Sequence, residues 1–88
     1  MNNGKIIFYG TSWCGDCRRA RYVLDKKKIK YEDINIDEDQ AGEKIVLEHN
    51  KGVRSIPVIV FEDGSVLVEP SEKMLLSKIE KLNKSINP

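Results

Sequence analysis

Two cysteines, Cys14 and Cys17, stand three residues apart in the segment Trp13, Cys14, Gly15, Asp16, Cys17, and the chain has no others. Two thiols one helical turn apart can carry electrons. The thiolate of the first attacks a disulfide and is held in a mixed disulfide, which the second thiol resolves. At the opening of a helix, Cys14 would lie beside unpaired backbone N–H groups and the positive end of the helix dipole, both of which favour its thiolate. Cys17 shares an inward stripe with Ala20 and Leu24 and is expected to be the more buried thiol. Gly15 would let a partner backbone approach, and Trp13 would shield the sulfur or offer an apolar docking surface. The Asp16 carboxylate would oppose a neighbouring thiolate, or serve only as a first-turn acid that complements the dipole.

Competing chemistries are constrained by what else the chain holds. A structural zinc ion takes about four Cys or His ligands, and the sequence offers two cysteines and His49, so no metal site is expected. An inert pair of core cysteines is the bland alternative, and the redox reading is favoured by the position of the pair directly after a strand. With 15 basic and 14 acidic residues the net charge is +1, too small a field to argue for nucleic acid or an anionic membrane as partner. The first residues lack the basic region and apolar core of a secretory signal, and no run approaches the roughly 20 apolar residues that span a bilayer. A reducing cytoplasm is therefore the expected location, where a cysteine pair is more often catalytic than a permanent crosslink.

The elements that must position the thiols follow from periodicity. Residues 1–88 are expected to form a single domain, since the length leaves room for one core. Lys5 to Gly10 reads as a buried strand, Gly15 to Lys28 as an amphipathic helix, and Tyr31 to Ile36 as a second strand, together a right-handed βαβ unit. Asp37 with Gln40 predicts the cap of a second helix whose inner face is Ala41, Ile45 and Val46, with Gly52 as its stop and His49 in a surface or helix-end role. Pro57 opens the run Val58 to Phe61, Asp63 and Gly64 favour a hairpin, and Val66 to Val68 return antiparallel. Ser71 would cap a last helix with Leu75, Ile79, Leu82 and Ile86 inward and Lys78, Lys81 and Lys84 toward water. Arg18, Arg19, Arg21 and the run Lys26 to Lys28 are expected mostly on solvated faces, with Arg18 the best placed to bind a ligand carboxylate.

Taken together, the cysteine pair after the first strand, Pro57 before the third and the β-β-α ending make the chain resemble a glutaredoxin over nearly its whole length. Thr11 to Gly15 and the stretch from Val58 to Ser71 are similar to the mycoredoxin-like members of that family. The resemblance implies an α/β thioredoxin/glutaredoxin-like fold: a four-stranded mixed sheet in the order 2-1-3-4 with three helices. It also implies a cis Pro57, with the Ile56 backbone free to pair with a bound thiol peptide, and Ser71 at a helix start that grips one end of a small thiol. The implied activity is that of a dithiol thiol–disulfide oxidoreductase acting on protein disulfides or on mixed disulfides with low-molecular-weight thiols. Such a protein holds no bound cofactor, acts as a monomer and is reduced from outside, by mycothiol or glutathione, or by a flavin-dependent thioredoxin reductase. Glutathione-using members carry an aromatic residue where Asp16 stands and a Gly-Gly-acidic turn where this chain has Val68, Glu69, Pro70 and Ser71. An iron–sulfur-binding module, with Cys14 of two chains sharing a cluster, is the reading from a different class.

Overall fold

The computed structural model describes residues 5–86, with side chains to Leu82. Its elements are β1 (Ile6–Gly10), α1 (Gly15–Lys26), β2 (Tyr31–Asn35), α2 (Gln40–His49), β3 (Val58–Val60), β4 (Val66–Val68) and α3 (Glu72–Ile86). The strands form one sheet in the order β2-β1-β3-β4, with β1 parallel to β2 and antiparallel to β3, and β3 antiparallel to β4. This is the expected order, and it makes β1 a central strand. Apolar side chains on both of its faces follow from that place: Ile6, Phe8 and Tyr9 are all buried.

Strand alternation decides which helix lies where. An added Cβ at Gly10 would meet the Cys17 sulfur and the Phe8 ring, so Phe8 and Gly10 face α1, against which α3 also packs. Tyr9 points the other way with Ile34, toward Gly42 of α2. The core joins Phe8, Cys17, Ala20, Val23, Leu24, Val46, Val58, Ile59, Phe61, Leu75 and Ile79. Gly64, at φ 86°, turns the hairpin between β3 and β4, where Phe61 N–H donates to the Ser65 carbonyl at 2.8 Å.

Several local expectations are corrected. The cap of α2 is Asp39, whose carboxylate accepts from Gly42 N–H at 2.9 Å, and not Asp37. Asn35 accepts from the Asp37 N–H at 3.0 Å and holds those residues in a turn, which delays the helix by two positions. The inner face shifts with it, so that Ala41 is exposed and Gly42 is buried. Helix α1 stops at Lys26 because Lys28 takes a left-handed φ of 58° and Ile29 N–H bonds back to the Leu24 carbonyl. Lys78 is only 19% exposed: it lies over the Phe61 ring and pairs with Asp63 at 3.0 Å. The side chains of Lys84 and Ile86 lie outside the described residues.

Candidate active site

The site forms where β1 and β2 end and β3 begins. Cys14 is the N-cap of α1: its backbone is extended, and its sulfur accepts the Cys17 N–H at 3.2 Å. One of the first-turn donors left unpaired by helix geometry thus points at the Cys14 sulfur. Both cysteines are free thiols, Cys14 partly exposed and Cys17 fully buried. The expected asymmetry between an accessible and an interior sulfur is present.

Burial first, and then its hydrogen bond to Cys14, push the Cys17 thiol from the ordinary 9.0 up to about 12. Two groups act in the opposite direction, the Thr11 backbone N–H and the Arg21 guanidinium. Cys17 therefore holds its proton more tightly than an ordinary thiol, chiefly because it is buried.

Arg21 is the residue that sequence reasoning placed on the solvated face and the structure places under the site. Its guanidinium donates to the Thr11 carbonyl at 3.0 Å, grips Asp33 on β2 with two bonds of 2.9 and 3.2 Å, and stacks 4.8 Å from the Phe8 ring centre. It joins helix α1 to both strands that end at the site. The signal was legible, since Arg21 stands four residues after Cys17 on the stripe that Ala20 and Leu24 define. Arg18 is exposed, and Arg19 forms an ion pair with Asp16 that partly balances the carboxylate beside the sulfurs.

On one side of Cys14, Trp13 stays 64% exposed, yet its indole N–H donates to Asp37 at 2.7 Å. Asp37 also receives Arg54 Nη2, and the Nε of the same guanidinium donates to Glu43 at 2.7 Å. Trp13 and Arg54, bonded first among the causes, hold the Asp37 carboxyl below the usual carboxylate range. Asp37, Glu43 and Arg54 are site neighbours that spacing along the chain did not reveal.

The Ile56–Pro57 bond is cis, as the family resemblance implies. Antiparallel pairing of Tyr9 with Val58 sets Pro57 beside the end of β1, next to Gly10. On the other side, a groove of about 290 Å³ between α1 and the start of α3 brings Asp16 and Arg19 together with Glu69, Ser71 and Glu72. Ser71 Oγ accepts the Met74 N–H at 3.1 Å, so it caps α3 as expected. Glu69 takes a left-handed φ of 46° and donates its N–H to the Pro57 carbonyl at 2.8 Å, tying this groove to the proline. Among the described residues no three His, Cys, Asp or Glu side chains are grouped as they would be around a metal ion, and no helix is long and apolar enough to cross a membrane.

The glutaredoxin family model matches residues 6–66, from the first strand through the cysteines and the proline to β4. The chain belongs to the glutaredoxin family. This glutaredoxin is 34% identical over 82 residues to a Mycobacterium tuberculosis protein provisionally named a glutaredoxin, covering 93% of this chain and 98% of the relative. It is 31% identical over 77 residues to mycoredoxin 1 of Corynebacterium glutamicum, covering 88% and 95%. Among solved structures, the glutaredoxin of Archaeoglobus fulgidus superposes with a TM-score of 0.63 at 27% identity, over 97% of this chain and 88% of that one. The glutaredoxin-like NrdH-redoxin of Escherichia coli superposes at 0.69 with 19% identity, over 83% and 92%, and shares the fold.

Proposed function

We propose that this glutaredoxin is a dithiol thiol–disulfide oxidoreductase that reduces protein disulfides and mixed disulfides of proteins with low-molecular-weight thiols. The observation that carries the reading is the Cys14 sulfur capping α1, partly exposed, with the Cys17 N–H 3.2 Å away and the Cys17 thiol buried one turn behind. In the first step the Cys14 thiolate attacks one sulfur of the substrate disulfide. A Cys14–sulfur bond forms, the substrate S–S bond breaks, and the other half leaves as a thiolate.

In the second step Cys17 attacks Cys14. The Cys14–Cys17 bond forms, the mixed disulfide breaks, and the Cys17 proton passes to the departing thiolate. Two electrons have then moved from the protein to the substrate. Burial is the main cause that keeps the Cys17 proton in place; in the mixed disulfide the further contribution of the Cys14 thiol is gone, while Thr11 N–H and Arg21 still favour the Cys17 thiolate.

Trp13 and Gly15 flank the attacking sulfur and the backbone of Ile56, beside Pro57, receives an extended partner segment, a short-strand addition. The Asp16, Arg18 and Ser71 side receives the rest of a small thiol. No bound cofactor takes part. The oxidised protein, working as a monomer in the cytoplasm, is regenerated by a small thiol of the mycothiol kind; glutathione and thioredoxin reductase are the other donors to compare.

The test is turnover of a peptide carrying a mixed disulfide with a small thiol, using the protein and its Cys14→Ser and Cys17→Ser variants. Loss of turnover in Cys14→Ser and a trapped covalent adduct in Cys17→Ser are expected. Equal turnover by Cys14→Ser would refute the assignment.

A further inference from the structure

The charges around Cys14 are arranged in a way that the cysteine chemistry does not require. Arg54 stands three residues before Pro57, and Asp37 is bonded to the indole next to Cys14, so the pair bridges the two segments that flank the sulfur. A guanidinium there is the natural partner for a carboxylate on an incoming thiol. Here its Nη2 is already bonded to Asp37 and its Nε to Glu43, and the cluster carries one more negative charge than positive. Across the site, the groove between α1 and α3 sets Asp16, Glu69 and Glu72 against Arg19, which is itself bound to Asp16. An acidic border therefore lies on both sides of Cys14.

We propose that Asp37 and Glu43 are specificity-determining residues: by holding Arg54 they withdraw its charge from the ligand, so that the site selects thiols without net negative charge and discriminates against those bearing carboxylates. This inference rests on the oxidoreductase reading above and names the substrate class of the same site. The favoured small thiol is uncharged and hydrogen-bonding, or cationic. Glutathione, with two carboxylates and one ammonium, is disfavoured.

The experiment uses one peptide carrying a single cysteine, blocked in turn by β-mercaptoethanol, cysteamine and glutathione, and reads kcat/KM for removal of each. The wild type is expected to act on the cysteamine and β-mercaptoethanol forms several-fold faster than on the glutathione form. Raising the salt to about 0.5 M should shrink that ratio, since fixed charges are screened over a few ångströms at such concentrations. Glu43→Gln, which removes one negative charge from beside Arg54, should raise the ratio of glutathione to β-mercaptoethanol rates roughly three- to tenfold, the effect of one unit charge a few ångströms away through water. Asp37→Asn, which keeps an acceptor for the Trp13 indole, should act in the same direction.

A ratio unmoved by both variants and by salt, with the β-mercaptoethanol form still turned over, overturns the inference and leaves the oxidoreductase reading standing. Failure to turn over any of the three forms overturns that reading and this one with it. If one of the two variants fails to fold, the other, read together with the salt series on the wild-type protein, decides the question.

Discussion

Replacing Gly10 by alanine tests whether the resolving thiol is seated by the end of the central strand. An added Cβ would stand 2.8 Å from the Cys17 sulfur and 2.8 Å from Phe8 Cε1. Each contact is about 0.6 Å short of ordinary van der Waals separation, and both neighbours are completely buried, so neither can swing aside. Overpacking of this kind costs about 1–3 kcal/mol. Alanine recovers about half a kcal/mol of backbone entropy that glycine loses on folding, leaving a net loss of about 1–2 kcal/mol. For a domain of this size, the expected fall in Tm is about 5–15 °C. The displaced sulfur should also slow resolution about tenfold, because the closing attack tolerates little misplacement. Gly15→Ala is the control: its Cβ would meet only an Arg19 nitrogen at 3.8 Å, and a gain of up to about 1 kcal/mol is expected. Calorimetry reads the stability, and Trp13, the single tryptophan, reports disulfide closure by stopped-flow fluorescence. A Gly10→Ala protein that melts within about 2 °C of the wild type and closes its disulfide at the same rate would refute the reasoning.

Three further outcomes follow from the same geometry. Cys17 is raised from 9.0 to about 12 and Tyr31 from 10.0 to about 12, so their contribution to stability is complete below the unfolded values and is lost as pH climbs through the folded ones. Urea titrations between pH 8 and 12 (roughly the window those shifts define) should show the dithiol protein losing stability more steeply than the disulfide form, in which Cys17 has no proton to release; parallel curves would contradict this. Arg21→Met removes the bonds to Thr11 and Asp33 and should cost about 1–2 kcal/mol and slow the resolving step, with Arg21→Lys restoring less than half of the stability because an ammonium cannot grip two partners in the same fork; full rescue by lysine would show that charge alone matters. Thr11 is fully buried and its hydroxyl has no partner, so Thr11→Val should raise stability by about 1 kcal/mol in chemical denaturation, and a loss would reveal an interaction of that hydroxyl.

Much of this molecule was legible before any coordinates. The succession of elements along the chain, the helix opened by Cys14, the burial of Cys17, the hairpin at Asp63 and Gly64 and the cap at Ser71 are all signalled by residues within a few positions of one another, whereas the strand order came from the family resemblance. Apolar alternation, helical spacing, turn residues and the i to i+3 bond of a capping side chain are local physics, and a sequence states them directly. The misplaced cap of α2 marks the edge of that regime. Asp37 and Asp39 are equivalent in chemical type, and the choice between them was made by Asn35 turning the chain and by Trp13 and Arg54 occupying the Asp37 carboxylate.

What tertiary structure alone decided is where long polar side chains find their partners. Arg21 reaches Asp33 from 12 residues away, Lys78 reaches Asp63 from 15, Arg54 reaches Asp37 from 17 and Trp13 reaches Asp37 from 24. Arg21, Lys78 and Arg54 would be solvated surface groups by their local pattern. A flexible charged or amphipathic side chain has no strong preference of its own for burial or exposure, and it settles on whichever opposite charge, carbonyl or ring the folded backbone carries within its reach. The cysteine pair and its scaffold were therefore written in the sequence as spacing, whereas the charges that surround it came from strands and loops that meet only once the sheet has formed.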